Sequence, residues 1–109
     1  MAKYHNRRTC LDGLTFDSAA EAARHAQLVL MERTGLVREL KRQVAFELLP
    51  AELAADGRKL RALKYVADFT YLDRSGRLHV EDVKGVRTPV YKLKKRLMWH
   101  IYRIEIEET

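Results

Sequence analysis

Two stretches decide the fold: Tyr65-Val66-Ala67-Asp68-Phe69-Thr70-Tyr71-Leu72 and Leu78-His79-Val80-Glu81-Asp82-Val83-Lys84-Gly85, joined through Asp73-Arg74-Ser75-Gly76. Both runs carry the period of two that marks strands, and the segment between them has turn composition. A long strand is expected over residues 58–72 and its return over 77–84. In the first, Leu60, Ala62, Lys64, Val66 and Asp68 share one face, and Leu63, Tyr65, Ala67, Phe69 and Tyr71 the other. Pairing Leu72 with Leu78 sets Thr70 opposite Val80 and Asp68 opposite Asp82. A slip of one residue would instead bring Glu81 opposite Asp68.

Opposed side chains on paired strands have Cβ atoms about 4.5–5.5 Å apart. Two carboxylates that close repel each other, and a divalent cation between them reverses the sign of that effect. Carboxylate oxygens are ligands for Mg²⁺, and Mn²⁺ is the expected substitute. Lys84 lies two residues beyond Asp82, on the same face, where an ammonium group can orient an attacking water or hold a phosphate. Asp68, Asp82 and Lys84 therefore suit metal-assisted attack of water on a phosphodiester. The plainer reading is a surface ion pair between Asp82 and Lys84, worth about 0–1 kcal/mol.

Working outward, residues 1–16 read as a basic arm and turn, with Lys3, Arg7 and Arg8 ahead of Asp12-Gly13. Ser18-Ala19-Ala20-Glu21 matches a helix capping box. Ala22, Ala23, Ala26, Leu28, Val29, Leu30 and Met31 follow at helical spacing, and Gly35 ends the helix. Glu21 is a fourth candidate for the site, although its position is that of a capping residue. Residues 36–49 predict a strand stopped by Pro50, and 51–57 a loop or single helical turn. Thr88 and Pro89 open a second helix, with Val90, Leu93, Leu97 and Ile101 as its expected core seam. Tyr102, Ile104 and Ile106 alternate with charged residues and predict a last strand over 102–107. The result is one α/β domain over 1–109, in the order α-β-β-β-α-β.

The 109 residues carry 21 Lys and Arg against 15 Asp and Glu, a net charge of +6. The excess sits in residues 58–103, and the last six residues are acidic. Such a local basic region suits a polyanion, most simply DNA, or else is a solvated face. Lys92, Lys94, Lys95 and Arg96 of the second helix are candidate phosphate contacts, joined by Arg7 and Arg8. Tyr91 or Trp99 could stack on a base. No apolar run approaches the ~20 residues of a membrane span, and no charged-then-apolar leader is visible, so a cytoplasmic protein is expected. Cys10 is the single cysteine, which excludes an internal disulfide. The four histidines lack zinc-site spacing, and no Gly-rich phosphate loop is present.

Glu21, Asp68 and Asp82-Val83-Lys84 resemble, in order and type, the motif of the PD-(D/E)XK nucleases, whose fold is restriction-endonuclease-like. The whole chain resembles a family of small phage and prophage proteins of unknown function, through Lys3-Tyr4, Asp12-Gly13, Phe16-Asp17-Ser18, Glu21-Ala22, Tyr65-Val66-Ala67-Asp68-Phe69, Glu81-Asp82-Val83-Lys84-Gly85 and Val90-Tyr91-Lys92-Leu93-Lys94-Lys95. The order is also similar to that of phage junction-resolving endonucleases and TnsA-type endonuclease subunits. The resemblance implies a mixed sheet flanked by helices and a Mg²⁺ held by Asp68, Asp82, the carbonyl of Val83 and Glu21. It implies Lys84 as the group that orients water, and a bacterial host cell as the setting. The proline that names the motif is absent, since Ala67 precedes Asp68. The expected activity is a DNA endonuclease acting on branched or junction DNA, with a homodimer needed to cut two strands. The alternatives are a non-catalytic nucleic-acid-binding module and a nuclease subunit active only within a larger complex.

Overall fold

A computed structural model describes residues 9–11, 13–83 and 86–109. Its centre is the hairpin of β6 (Leu63–Asp73) and β7 (Leu78–Asp82), with Phe69 opposite Glu81, Thr70 opposite Val80 and Leu72 opposite Leu78. That is the expected register, and the slipped alternative does not occur. β3 (Val37–Leu49) pairs antiparallel along the other edge of β6, and β8 (Glu107–Glu108) pairs parallel with β7. The sheet order is β3-β6-β7-β8, a mixed sheet of four strands. With helices α1 (Ala19–Arg33) and α2 (Pro89–Tyr102), the chain has an α/β fold.

Ser18 and Thr88 cap the two helices, their hydroxyls accepting the N–H groups of Glu21 and Tyr91. Gly35 follows α1 with φ of 80°, and the Leu36 N–H returns to the Met31 carbonyl. Leu28, Val37, Phe69 and Tyr71 form one core cluster, which α1 covers. Leu48, Tyr65, Ala67, Val80, Tyr91, Met98 and Ile106 form a second, covered by α2. Simple alternation would give Tyr65, Ala67, Phe69 and Tyr71 to one layer. Instead β6 passes from one cluster to the other at Asp68, and the β3 register places Gln43, with φ of 51°, at that level.

Several boundaries differ from expectation. Residues 9–16, read as part of an arm, contain the ribbon of β1 (Thr9–Leu11) and β2 (Leu14–Phe16), and Phe16 is buried. The long strand begins at Leu63. Pro50 releases the chain from the β3 edge, and β4 (Glu52–Leu53) with β5 (Lys59–Leu60) makes a separate exposed ribbon. Tyr102 closes α2, and Arg103, in the left-handed region at φ of 56°, caps it through the Trp99 carbonyl. Only Glu107–Glu108 of the last segment joins the sheet. The expected seam of α2 holds only at Leu97, which packs against the core; Tyr91 and Met98 are buried, whereas Val90, Leu93 and Ile101 are exposed. Tyr91 and Lys95 both bind Glu108, and this turns the helix about its axis. Leu30 of α1 is likewise exposed.

Candidate functional site

The β6–β7 ladder ends at Phe69–Glu81, and the next residues along it, Asp68 and Asp82, are near enough for the Asp82 charge to act on Asp68. The Val83 N–H donates to Asp68 Oδ2 at 2.8 Å, and Gln43 Nε2 reaches Asp68 Oδ1 at 3.4 Å. The Tyr65 hydroxyl donates to Asp82 Oδ2 at 2.6 Å. Glu21 comes from the first turn of α1 and is 4% exposed. Its backbone N–H serves the cap, while its carboxylate is buried, lies 4.0 Å from Arg42 and is near enough to Asp68 for its charge to raise that carboxyl. Three elements therefore bring three carboxylates within electrostatic reach of one another.

Desolvation, followed by the charges of Asp82 and Glu21, pushes the Asp68 carboxyl up to about 7, against the lowering effect of the Val83 N–H. Like charges this close share a proton unless a cation neutralises them. Among the described residues no three Asp, Glu, His or Cys side chains are already gathered as a metal cage. The donor chemistry nevertheless fits a hard divalent ion: carboxylates from β6 and β7, one of them with a raised pKa, and a third carboxylate beside them. Burial and the Asp82 charge also raise the Tyr65 phenol, so it stays a donor to Asp82.

Glu81, the rival acid, lies on the other side of β7. Arg24 grips it with two hydrogen bonds of 2.7 Å, and the Tyr71 hydroxyl donates to it as well. Its role is structural, and these partners hold its carboxyl below its ordinary value despite burial.

A cleft of about 300 Å³ opens beside Asp82 and is lined by Lys64, Tyr65, Thr88 and Lys94, among others. Lys94 was expected near phosphate. Lys64 was not, although its place on the Asp68 face of β6 was visible in the alternation. Gln43 was also missed, because nothing in a run of charged and apolar residues announces a left-handed strand position. Lys92 and Arg96 are exposed, whereas Lys95 is held at 3.1 Å by Glu108. Tyr91 does not offer a stacking face: it is 7% exposed and its hydroxyl donates to Glu108. Lys84, Arg7 and Arg8 lie outside the described residues.

Residues 1–108 match the family described as Protein of unknown function (DUF1064). The chain belongs to that family. No curated protein and no solved structure matches the chain significantly. The DUF1064 match spans every element that builds the carboxylate cluster, from the α1 cap to β8. No helix among the described residues is long and apolar enough to cross a membrane.

Proposed function

We propose that this protein is a Mg²⁺-dependent DNA endonuclease of the PD-(D/E)XK type, with a restriction-endonuclease-like core. In this reading it acts on branched or junction DNA in phage DNA processing, in the cytoplasm of a bacterial host. The observation that carries the reading is the meeting of Glu21, Asp68 and Asp82 at a sheet position adjoining a lysine-lined cleft. Asp68, Asp82, the Val83 carbonyl and Glu21 would hold the ion. When bound, Mg²⁺ supplies charge stabilisation at the phosphate and aligns the reacting groups. Tyr65, the Val83 N–H and Gln43 orient the two aspartates. Lys64 and Lys94 attract the phosphodiester, and Lys84 orients the water. The water oxygen bonds to phosphorus, one ester P–O bond breaks, and the departing oxygen takes up a proton. Mn²⁺ is the expected substitute ion.

Each chain brings one such cluster, so cutting both strands needs two copies. The exposed stripe of Val90, Leu93 and Ile101 on α2 is the surface we assign to the second copy.

The test is cleavage of linear, nicked, flap and four-way-junction DNA with Mg²⁺, Mn²⁺ or EDTA. Metal-dependent cutting should fall by about 10²-fold or more in Lys84→Ala and Asp82→Asn. Equal cutting by the variants overturns the reading. Salt-dependent binding of junction DNA without any cutting would favour the non-catalytic module, or a subunit awaiting its complex.

A further inference from the structure

We propose that α2 carries a pocket for one unpaired DNA base, built on Trp99. The inference rests on the nuclease reading and names the feature of the substrate that α2 would recognise. A cavity of about 450 Å³ is lined by Lys92, Lys95, Arg96, Trp99 and Glu105. Trp99 is 44% exposed although it is the chain's single tryptophan and the largest apolar side chain available to the core. Three of its four neighbours at one-turn spacing, Lys95, Arg96 and Arg103, are cations, so the ring is bordered by positive charge. The Arg103 guanidinium lies 5.5 Å from the centre of the indole and steadies it.

Each part has a place in the recognition of a nucleotide. The indole offers a stacking face that every base can use. Lys92 and Arg96 offer charge to the phosphates on either side. Glu105, from the segment that leaves α2, brings an acceptor to the same cavity, and a carboxylate accepts from the exocyclic amino group of cytosine. Paired duplex keeps its bases stacked and its amino groups engaged, so it cannot fill this pocket. A flap, a gap or an open junction can. Lys92, Arg96 and Trp99 lie on the opposite flank of α2 from Lys94, so the pocket is a binding site separate from the cleft beside Asp82.

The single tryptophan makes the test direct. Intrinsic fluorescence of the full chain in EDTA is titrated with single-stranded dC12, a blunt 12-base-pair duplex, and dCMP. Saturable quenching by dC12, at least tenfold tighter than by duplex or dCMP, is the expected result. Trp99→Ala should lose about tenfold in affinity for labelled dC12 read by anisotropy, as expected for one stacked base, while Trp99→Phe recovers most of it. Lys92→Ala with Arg96→Ala should reduce the slope of log K against log salt by about 1.4, two phosphate contacts on a single strand. Unchanged circular dichroism checks that each variant is folded. Equal quenching by duplex, saturation by dCMP at the same concentration, unchanged affinity of Trp99→Ala, or no quenching at all overturns the pocket. Binding needs no metal here. Quenching with no cleavage therefore removes the nuclease reading alone, and cleavage with no quenching removes the pocket alone.

Discussion

Asp68 shows how a residue can work against the stability of its own fold. Its ordinary value of 3.8 rises to about 7 in the folded chain, so the folded state holds the proton more tightly than the unfolded state does. The resulting destabilisation is absent in acid, grows as the pH rises from about 4 towards 7, and then levels off. Asp68→Asn should therefore raise the melting temperature in EDTA at pH 8 by several degrees, since about 1 kcal/mol shifts a chain of this size by roughly 4–8 °C. On the proposed reading Mg²⁺ should raise the melting temperature of the wild type, and the same variant should lose that shift. A thermal scan with and without the ion checks both. Glu21 allows a second separation. Ser18→Ala should lower stability by about 1 kcal/mol and leave cleavage intact, whereas Glu21→Gln keeps the cap and should lower cleavage. Urea melts and the junction assay read the two effects independently. The capping-box pattern told where α1 begins, but it could not tell that the Glu21 side chain turns to Asp68 rather than to the helix end.

At the scale of the element, the hairpin was legible because its turn, alternation and length all agree on one register. That register sends Asp82 towards Asp68 and Glu81 towards Arg24. A buried carboxylate that loses its guanidinium partner is strongly destabilising. Arg24→Ala should therefore lower stability by about 3 kcal/mol, and the pair Arg24→Met with Glu81→Leu should recover most of it in chemical denaturation. Helix α2 was less legible. Its most apolar stripe is not its buried one, because Tyr91 and Lys95 are fastened to Glu108 from a strand that sequence alone placed too early. If that stripe meets a second copy, Leu93→Lys should yield monomers with an unchanged melting curve at low concentration. Light scattering decides this, and a wild type monomeric at 100 μM would leave the stripe without the partner we assign to it.

Across the whole molecule, the acidic tail is bound up with the basic region. Glu108 receives Arg87 at 2.8 Å and Lys95 at 3.1 Å, and with Tyr91 these hold its carboxyl down to about 2. Glu107 meets His79 at 2.7 Å, and Asp73 meets the other ring nitrogen at 2.8 Å. Asp73, then Glu107, raise the His79 imidazole above its ordinary 6.5. The folded pKa exceeds the unfolded one, so the stabilisation is full below about pH 6.5 and is lost as the pH climbs through the folded value. The wild type should lose stability over that window relative to His79→Gln, as paired denaturant melts at pH 5.5 and 8.5 would reveal. Net charge indicated a basic surface, but only the three-dimensional arrangement shows which cations are already engaged at home.

The last strand has the widest reach. β8 contributes two residues to the sheet, yet its carboxylates bolt α2 to β7, and the Thr109 N–H closes on the Asp82 carbonyl at 3.1 Å. Trimming residues 107–109 would withdraw that latch, loosen the helix that frames both the lysine cleft and the indole, and unseat Asp82 from behind.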